Sequence, residues 1–548
     1  MNYQLQPLKS IHLHSKYSFE LEENGDIKTV YFLVFITALI LLSAWINYIN
    51  LFTAISVERT KEIGIRKVVG ALRSNLISQF LAESALFNIT AVILALSIVK
   101  ISLSFFSQFT GIPDYFMLWN LKNFWVILVI MCTIGIFSSG LYPAFVISSF
   151  RAVTALKGKL IENSRSNILK KCLVIFQFAV SIALIAGTLT VYRQIQFMKN
   201  QELGIDINST VVIKAPGVFN TSSASANVNK VSAFKTALNN MPAVNKSAVS
   251  SFVPGEYVLN IHGARRLYEP LEKAKEFHIL SIDQDYLNLY KIDLLAGRNF
   301  SDDYSADREK IIINEAALPL LNFNNPEDAV GEKIYLETAQ LEILGVAKNF
   351  HQQSLKYDYV PLVIHNAAFR GGNFSVKIQT DDLPVTITSI KNVWEEFFPG
   401  NPFDYFFLDE HFNRQYNTDM KFGQVSGLFT FLAILIGSLG LFGLVSLNLS
   451  IRTKEIGIRK TLGASIFSII ILLIRDFMKL IIAAVVIALP VSYFYYNNWL
   501  TNYAFRTDLG WWFFIIPVIL ISIIVFLTVF FKVTKASLSN PVDSLRIE

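Results

Sequence analysis

Arg59-Thr60-Lys61-Glu62-Ile63-Gly64-Ile65-Arg66-Lys67 occurs a second time, unchanged, as Arg452-Thr453-Lys454-Glu455-Ile456-Gly457-Ile458-Arg459-Lys460. Each copy runs two residues further to a Gly-Ala pair, Gly70-Ala71 and Gly463-Ala464. Each stands directly after one long apolar run and directly before another. An identity of this length, roughly 390 positions apart, lies far outside chance and marks two related units. What the charged element touches is therefore the functional question.

The surrounding composition sets the class. Of 548 residues, 53% are hydrophobic and 16% charged, and the mean hydropathy is +0.43. Such a chain is not an ordinary soluble protein but a polytopic α-helical membrane protein. A span needs about 20 apolar residues, and seven runs qualify: roughly 30–55, 77–106, 119–147, 171–192, 424–449, 467–496 and 511–531. Basic residues concentrate in alternate connections: Arg59, Lys61, Arg66, Lys67 and Arg73; then Arg151, Lys157, Lys159, Arg165, Lys170 and Lys171; then Arg452, Lys454, Arg459 and Lys460; and finally Lys532, Lys535 and Arg546. The positive-inside rule puts these in the cytoplasm, the N-terminus outside and the C-terminus inside. The net charge of +6 is thus topology, and no nucleic-acid partner is implied. Cys132 and Cys172 lie within or at the edge of spans, so no disulfide framework is expected. The first apolar run is too long for a cleavable signal peptide.

Between the fourth and fifth spans lies a polar stretch, 196–418, read as one extracytoplasmic α/β (α+β) domain. Runs such as Thr210–Ile213, Lys310–Ile313 and Leu341–Val346 alternate with helical patterns near 226–240 and 385–398. Turns are expected at Pro254-Gly255, Ala296-Gly297 and Pro399-Gly400. The remaining boundaries follow: 1–28 outside the membrane, 29–160 a first three-helix unit, 161–195 a linker and extra fourth span, and 419–548 a second three-helix unit. Tyr142-Pro143-Ala144 and Ala152 in the first unit correspond to a tail ending Asn540-Pro541-Val542 in the second, with Pro541 opposite Ala152.

On a helix, Ile65, Val68, Val69, Leu72 and Leu76 fall on one apolar face, with Arg59, Glu62, Arg66 and Arg73 on another. The expectation is a short amphipathic helix along the inner membrane surface, interrupted near Gly70 and Gly463. A lipid anchor needs only charge, about 1 kcal/mol per basic residue. Glu62 and Glu455 inside the basic run, and Gly64 and Gly457 at poor helix positions, point instead to a shape-specific protein partner.

The R-T-K-E-I-G-I-R-K-x-x-G-A string resembles the FtsX-like permease family of ABC transporters, including its MacB-type members. Gln79–Ser84, Phe176–Ser181, Tyr142–Ala144, Asn540–Val542, Gly297–Phe300 and Gly345–His351 agree with that resemblance. It implies an outer domain of MacB periplasmic-core type and a permease in the bacterial cytoplasmic membrane that serves export, efflux or mechanotransmission. It also implies a cytoplasmic ABC ATPase dimer as partner, with an adaptor, outer-membrane or envelope protein as further candidates for the outer domain. Carried over residue by residue, the coupling segments are Arg59, Lys61, Glu62, Gly64, Arg66, Lys67 and Gly70, and Arg452, Lys454, Glu455, Gly457, Arg459, Lys460 and Gly463. The sequence holds no Gly-x-x-x-x-Gly-Lys-Ser/Thr loop, so no catalytic residue, cofactor or metal is expected in this chain, ATP being bound by the partner. Relative to the family's double-unit members, residues 1–28 read as the end of a first outer domain whose leading span is missing. The alternative readings are an envelope signalling or scaffold protein that moves no cargo, and a truncated remnant.

Other polar residues read as structural. Glu83 and Asp476, equivalent in the two units, sit near the cytoplasmic boundary within reach of Arg73 or Arg475. Gln177 and Ser181 are placed to bond a neighbouring helix, and Gly437, Gly440 and Gly443 to allow close helix approach. The seven histidines are dispersed and form no zinc pattern.

Overall fold

The computed structural model describes residues 6–15, 25, 27–58, 65–66, 68–70, 72–110, 118–148, 164–217, 224–301, 307, 309–367, 372–451 and 466–537. The chain divides into two compact units. One comprises Met1–Tyr192, Lys421–Asn497 and Leu509–Glu548; the other comprises Arg193–Met420 and Asn498–Asp508. The longer helices, in chain order, are α1 (Ile27–Glu58), α2 (Arg73–Thr110), α3 (Lys122–Ser148), α4 (Ser164–Asn200), α5 (Ala224–Asn239), α6 (Leu383–Phe397), α7 (Asn417–Ile451), α8 (Ile466–Leu500) and α9 (Trp511–Ser537).

In the helical unit the repeat reappears as geometry. Helices α1 and α7 are described as far as Glu58 and Ile451, and α2 and α8 are described from Arg73 and Ile466. Helices α3 and α9 match at both ends with a displacement of 389. Each copy of the charged string therefore lies between two long apolar helices. Five segments among the described residues are long and apolar enough to cross a membrane: Ile27–Phe52, Arg73–Ser107, Lys171–Asn200, Asn417–Ser446 and Trp511–Thr534. Lys122–Ser138 in α3 is a shorter apolar segment. Ile98, Ile101 and Phe105 on α2 and Val129 on α3 are 65, 82, 74 and 63% exposed, a surface suited to lipid rather than water.

Helix α7 is the hub because its glycines leave room. A Cβ on Gly440 would overlap the Asn47 amide, one on Gly443 would strike Leu51, and one on Gly437 would lie 3.2 Å from Gln177 Nε2 and 3.6 Å from Ser181 Oγ. Glycines at every third position thus admit α1 on one flank and α4 on the other. Asn47 Nδ2 donates to the Ile436 carbonyl at 2.6 Å. Position 47 is also the repeat equivalent of position 440, so the seam crosses where equivalent residues meet. On the α4 flank, the Thr188 and Thr430 hydroxyls share a hydrogen bond of 2.7 Å, and Thr430 Oγ1 lies 3.1 Å from the Leu184 carbonyl. Behind them, Val174, Phe178, Ile182 and Ile185 of α4 join Leu441, Phe477, Ile481, Phe513 and Val525 in one buried cluster.

The second unit has two parts around a shared core. Strands β1 (Thr210–Lys214), β2 (Val244–Ser250), β10 (Asn373–Ile378) and β11 (Tyr405–Phe407) form an antiparallel sheet in the order β11-β1-β10-β2. With α5 following β1 and α6 following β10, this is a split β-α-β arrangement. Between β2 and β10 the chain inserts β3 (Ile261–Arg266), β4 (Lys275–Ile282), β5 (Leu294–Gly297), β6 (Lys310–Asn314), β7 (Lys333–Leu336), β8 (Ala339–Ala347) and β9 (Leu362–Asn366). Pairings β4-β3-β7-β8-β6-β9 return to β4, so six of these strands close into a barrel. Strand β5 takes the edge of β8 beyond the reach of β7, where Gly297 has φ +78°.

Alternation explains the apolar runs. Ile311 and Ile313 enter one core with Ile279, Ile343 and Val363, while the intervening Ile312 enters another with Leu280, Leu344 and Ile364. The sheet behaves likewise: Val211 and Ile213 pack under Phe234, Ile390 and Trp394, whereas Val212 and Ala248 face the core shared with the barrel. Strands buried on both faces read as continuous hydrophobic runs. An ion cluster ties α5 and β2 to the end of β4. Lys235 Nζ lies 2.5 Å from Asp283 and from Asp285, Lys246 lies 3.0 Å from Asp285, and the Val249 amide donates to Asp283 at 2.9 Å.

Two predictions follow from this packing. Gly440→Val should destabilise the helical unit by about 1–3 kcal/mol through overpacking, read by thermal unfolding in detergent, and Asn47→Ala in the same chain should recover part of the loss. Lys235→Met should cost about 3 kcal/mol by leaving Asp283 buried and poorly paired. Burial raises the Asp283 pKa and Lys235 opposes that rise; without the lysine the folded state holds the proton more tightly than the unfolded chain. The loss should be greatest above the raised pKa and shrink as pH falls toward about 4, measured by melting temperature across pH.

Candidate functional site

The first charged segment is described from Ile65 onward. Ile65, Arg66 and Val68 are helical, and the Val69 amide donates to the Ile65 carbonyl at 3.0 Å. Gly70 then adopts φ +101° with open space where a Cβ would stand, the left-handed conformation that ends a helix. The chain restarts at once, with the Asn75 and Leu76 amides donating to the Leu72 carbonyl at 3.1 and 3.4 Å.

That break corrects the expected five-residue stripe. Leu76 belongs to α2 and is buried against Phe52 and Phe80. Ile65, Val68, Val69 and Leu72 remain 55, 65, 82 and 66% exposed. The periodicity in the sequence runs through Gly70, but the left-handed turn resets the helical phase. The result is a small apolar surface beside Arg66 rather than one continuous face.

Arg66 is held by α2. Its Nη1 donates to Gln79 Oε1 at 2.9 Å, and Gln79 Nε2 donates to Glu83 Oε1 at 3.2 Å. The glutamine relays the carboxylate, one helical turn away on α2, to the guanidinium, a role that inspection of charged residues alone misses. At the equivalent of Gln79 the second copy has Leu472, and at that of Glu83 it has Asp476. The two units thus differ in sequence at the positions that steady Arg66 in the first. Next to Glu83 on α2, buried Ser84 donates to the Ile136 carbonyl of α3 at 3.2 Å.

Of the expected coupling residues, Arg66 and Gly70 are described. Arg59, Lys61, Glu62, Gly64 and Lys67, and Arg452, Lys454, Glu455, Gly457, Arg459, Lys460 and Gly463 of the second copy, lie outside the described residues. Among the described residues, no group of three or more His, Cys, Asp or Glu side chains could hold a metal ion.

Comparison with known proteins matches both halves of this architecture. The FtsX-like permease C-terminal model matches residues 34–150 and 427–541, and the MacB-like periplasmic core domain model matches 173–391. The chain belongs to the FtsX-like, MacB-type ABC permeases. Among relatives of this permease is the uncharacterized ABC transporter permease YknZ of Bacillus subtilis (strain 168). It is 24% identical over 220 residues, 35% of this chain and 51% of the relative. The macrolide export ATP-binding/permease protein MacB of Escherichia coli is 22% identical over 203 residues, 35% of this chain and 31% of the relative. The match thus spans about half of one curated relative and a third of the other. Among solved structures, the periplasmic region of MacB from Actinobacillus actinomycetemcomitans is similar at 15% identity and TM-score 0.28, covering 39% of this chain and 94% of that one. The extracellular domain of YknZ gives 16% identity and TM-score 0.25, covering 36% and 97%.

At Gly70, substitution by alanine should cost about 1–2 kcal/mol locally because an L side chain is strained in the left-handed region. The expected outcome is faster amide exchange over residues 65–76 of the permease with little change over α5 and α6, checked by hydrogen–deuterium exchange.

Proposed function

We propose that this permease is the transmembrane subunit of an ABC system in which a separate cytoplasmic ATPase dimer docks on the two charged segments. Closure of that dimer moves the outer domain and drives export or mechanotransmission. Arg59, Lys61, Glu62, Gly64, Arg66, Lys67 and Gly70 form one docking segment; Arg452, Lys454, Glu455, Gly457, Arg459, Lys460 and Gly463 form the other. The observation that carries this reading is the duplicated string itself, placed in each copy between two long apolar helices, α1 and α2 in one and α7 and α8 in the other. Two identical segments presented by matched helices suit a two-fold partner. The exposed apolar group Ile65, Val68 and Val69 beside Arg66 suits a protein surface with an apolar centre and charged rim.

In this reading seven helices, α1–α4 and α7–α9, cross the bacterial cytoplasmic membrane, with the N-terminus outside and the C-terminus in the cytoplasm. The outer domain then stands where an adaptor, an outer-membrane component or another envelope protein can meet it. The name of the Escherichia coli relative, macrolide export, makes macrolide efflux the first cargo class to assay.

Arg66→Glu and Arg459→Glu together should abolish co-purification with the cognate ATPase while leaving membrane insertion intact. Unchanged binding of the ATPase by the doubly reversed permease would refute the assignment.

A further inference from the structure

The connection between α8 and α9, Asn498–Asp508, belongs to the compact outer unit, and its contacts there are specific. Gln194, near the end of α4, is fully buried. Its Nε2 donates to the Phe505 carbonyl at 2.9 Å, and its Oε1 accepts from the Thr507 amide at 2.9 Å. One side-chain amide thus satisfies two backbone groups on alternate residues, as a neighbouring strand would. From the other side, the Ala504 and Phe505 amides donate to the carbonyls of Lys356 and Leu355 at 3.0 and 3.3 Å. Tyr503 is buried and its hydroxyl donates to Asp419 Oδ1 at 2.8 Å, at the beginning of α7. The Phe505 ring packs edge-on to His351 and Tyr359, with centroids 4.7 and 5.1 Å away.

The comparison between repeats shows a local adaptation. Helix α2 continues to Thr110, whose equivalent is Tyr503, but α8 stops at Leu500. Three residues that stay helical in the first copy unwind in the second, through turns in which Thr501, Asn502 and Tyr503 donate back to Asn498, Trp499 and Leu500. That unwinding releases Tyr503 to reach Asp419. At its other end α8 begins at Ile466, three residues after Gly463. One helix of 35 residues, about 50 Å at 1.5 Å per residue, therefore runs from the second charged segment to this loop.

We infer that Gln194 is the positioning residue of a clasp that holds the α8–α9 connection in the outer unit, so that α8 pulls on that unit through its own chain. The inference rests on the proposed ATPase docking. It adds α8 to the paths that α4 and α7 provide. Force applied at 452–465 travels along α8, enters the outer unit through the backbone of Tyr503–Thr507, and spreads to α4 through Gln194, to α7 through Asp419 and to the 351–359 loop through Phe505.

The test uses the full chain in nanodiscs with its cognate ATPase, followed by hydrogen–deuterium exchange with and without a non-hydrolysable ATP analogue. Gln194→Met keeps the volume and removes both hydrogen bonds; Tyr503→Phe removes the Asp419 contact and serves if the first variant does not insert. The Thr507 amide should exchange roughly five- to tenfold faster in Gln194→Met, the effect of one lost hydrogen bond. The nucleotide-dependent change over residues 351–359 seen in wild type should disappear, while ATPase co-purification stays at the wild-type level. A nucleotide response that persists at 351–359 in the opened clasp overturns the inference, as does unchanged exchange at Thr507. A wild-type chain that shows protected Thr507 but binds no ATPase overturns the docking reading and removes the source of the force.

Discussion

Inside a bilayer, helices gain almost nothing by burying apolar side chains against one another, because lipid tails are equally apolar. Their arrangement then depends on how closely backbones can approach and on which polar groups find partners. Gly437, Gly440 and Gly443 meet that constraint on α7, admitting α4 on one side and α1 on the other. The Asn47 bond to the Ile436 carbonyl and the Thr188–Thr430 pair supply the polar contacts. The consequence is a seam where the two repeats touch at equivalent positions, asparagine on one side and glycine on the other.

The outer unit answers a different solvent with a different solution. In water the drive to bury apolar surface returns, and the barrel strands satisfy it on both faces at once. Ile311, Ile312 and Ile313 are all fully buried, yet neighbours in sequence enter separate cores. The core between sheet and barrel also takes in Tyr503, a residue that chain position alone assigns to a membrane hairpin. Burial of His351 in this region pushes its imidazole down to about 4, so it acts as a neutral aromatic packing partner at neutral pH.

The two permease units share their charged strings but not what surrounds them. Arg66 is steadied by Gln79 and Glu83, whereas the second copy offers Leu472 and Asp476. Helix α2 remains helical through Thr110, while α8 unwinds three residues sooner. In the proposed mechanism this division of labour is useful. The charged strings stay alike for a two-fold partner, while the connection after α8 is part of the outer unit.

Much of this was legible in the chain because it depends on local chemistry. Long apolar runs must be helical where no water can satisfy the backbone, so the helices and the bracketing of Arg59–Lys67 and Arg452–Lys460 could be read directly. Pro254-Gly255 and Pro399-Gly400 announced turns that are there, whereas Ala296-Gly297, expected as a turn, lies in strand β5, where an irregular register against β8 accommodates the positive φ of Gly297. The interruption expected near Gly70 is there, at φ +101°, and only the extension of the apolar stripe across it to Leu76 misled, because periodicity does not count the phase that a left-handed residue resets. Barrel closure through β4 and β9, the Arg66–Gln79–Glu83 relay and the clasp of Gln194 on Phe505 and Thr507 were not legible. Each joins residues brought together only by folding, and the last pair lies more than 300 positions apart. The sequence by itself determined the class, the repeat and the charged segments, since these follow from hydropathy and identity along the chain. Only the tertiary structure decided which glycine faces which helix and which loop the outer domain captures, because hydrogen-bond partners and close contacts are properties of space rather than of order.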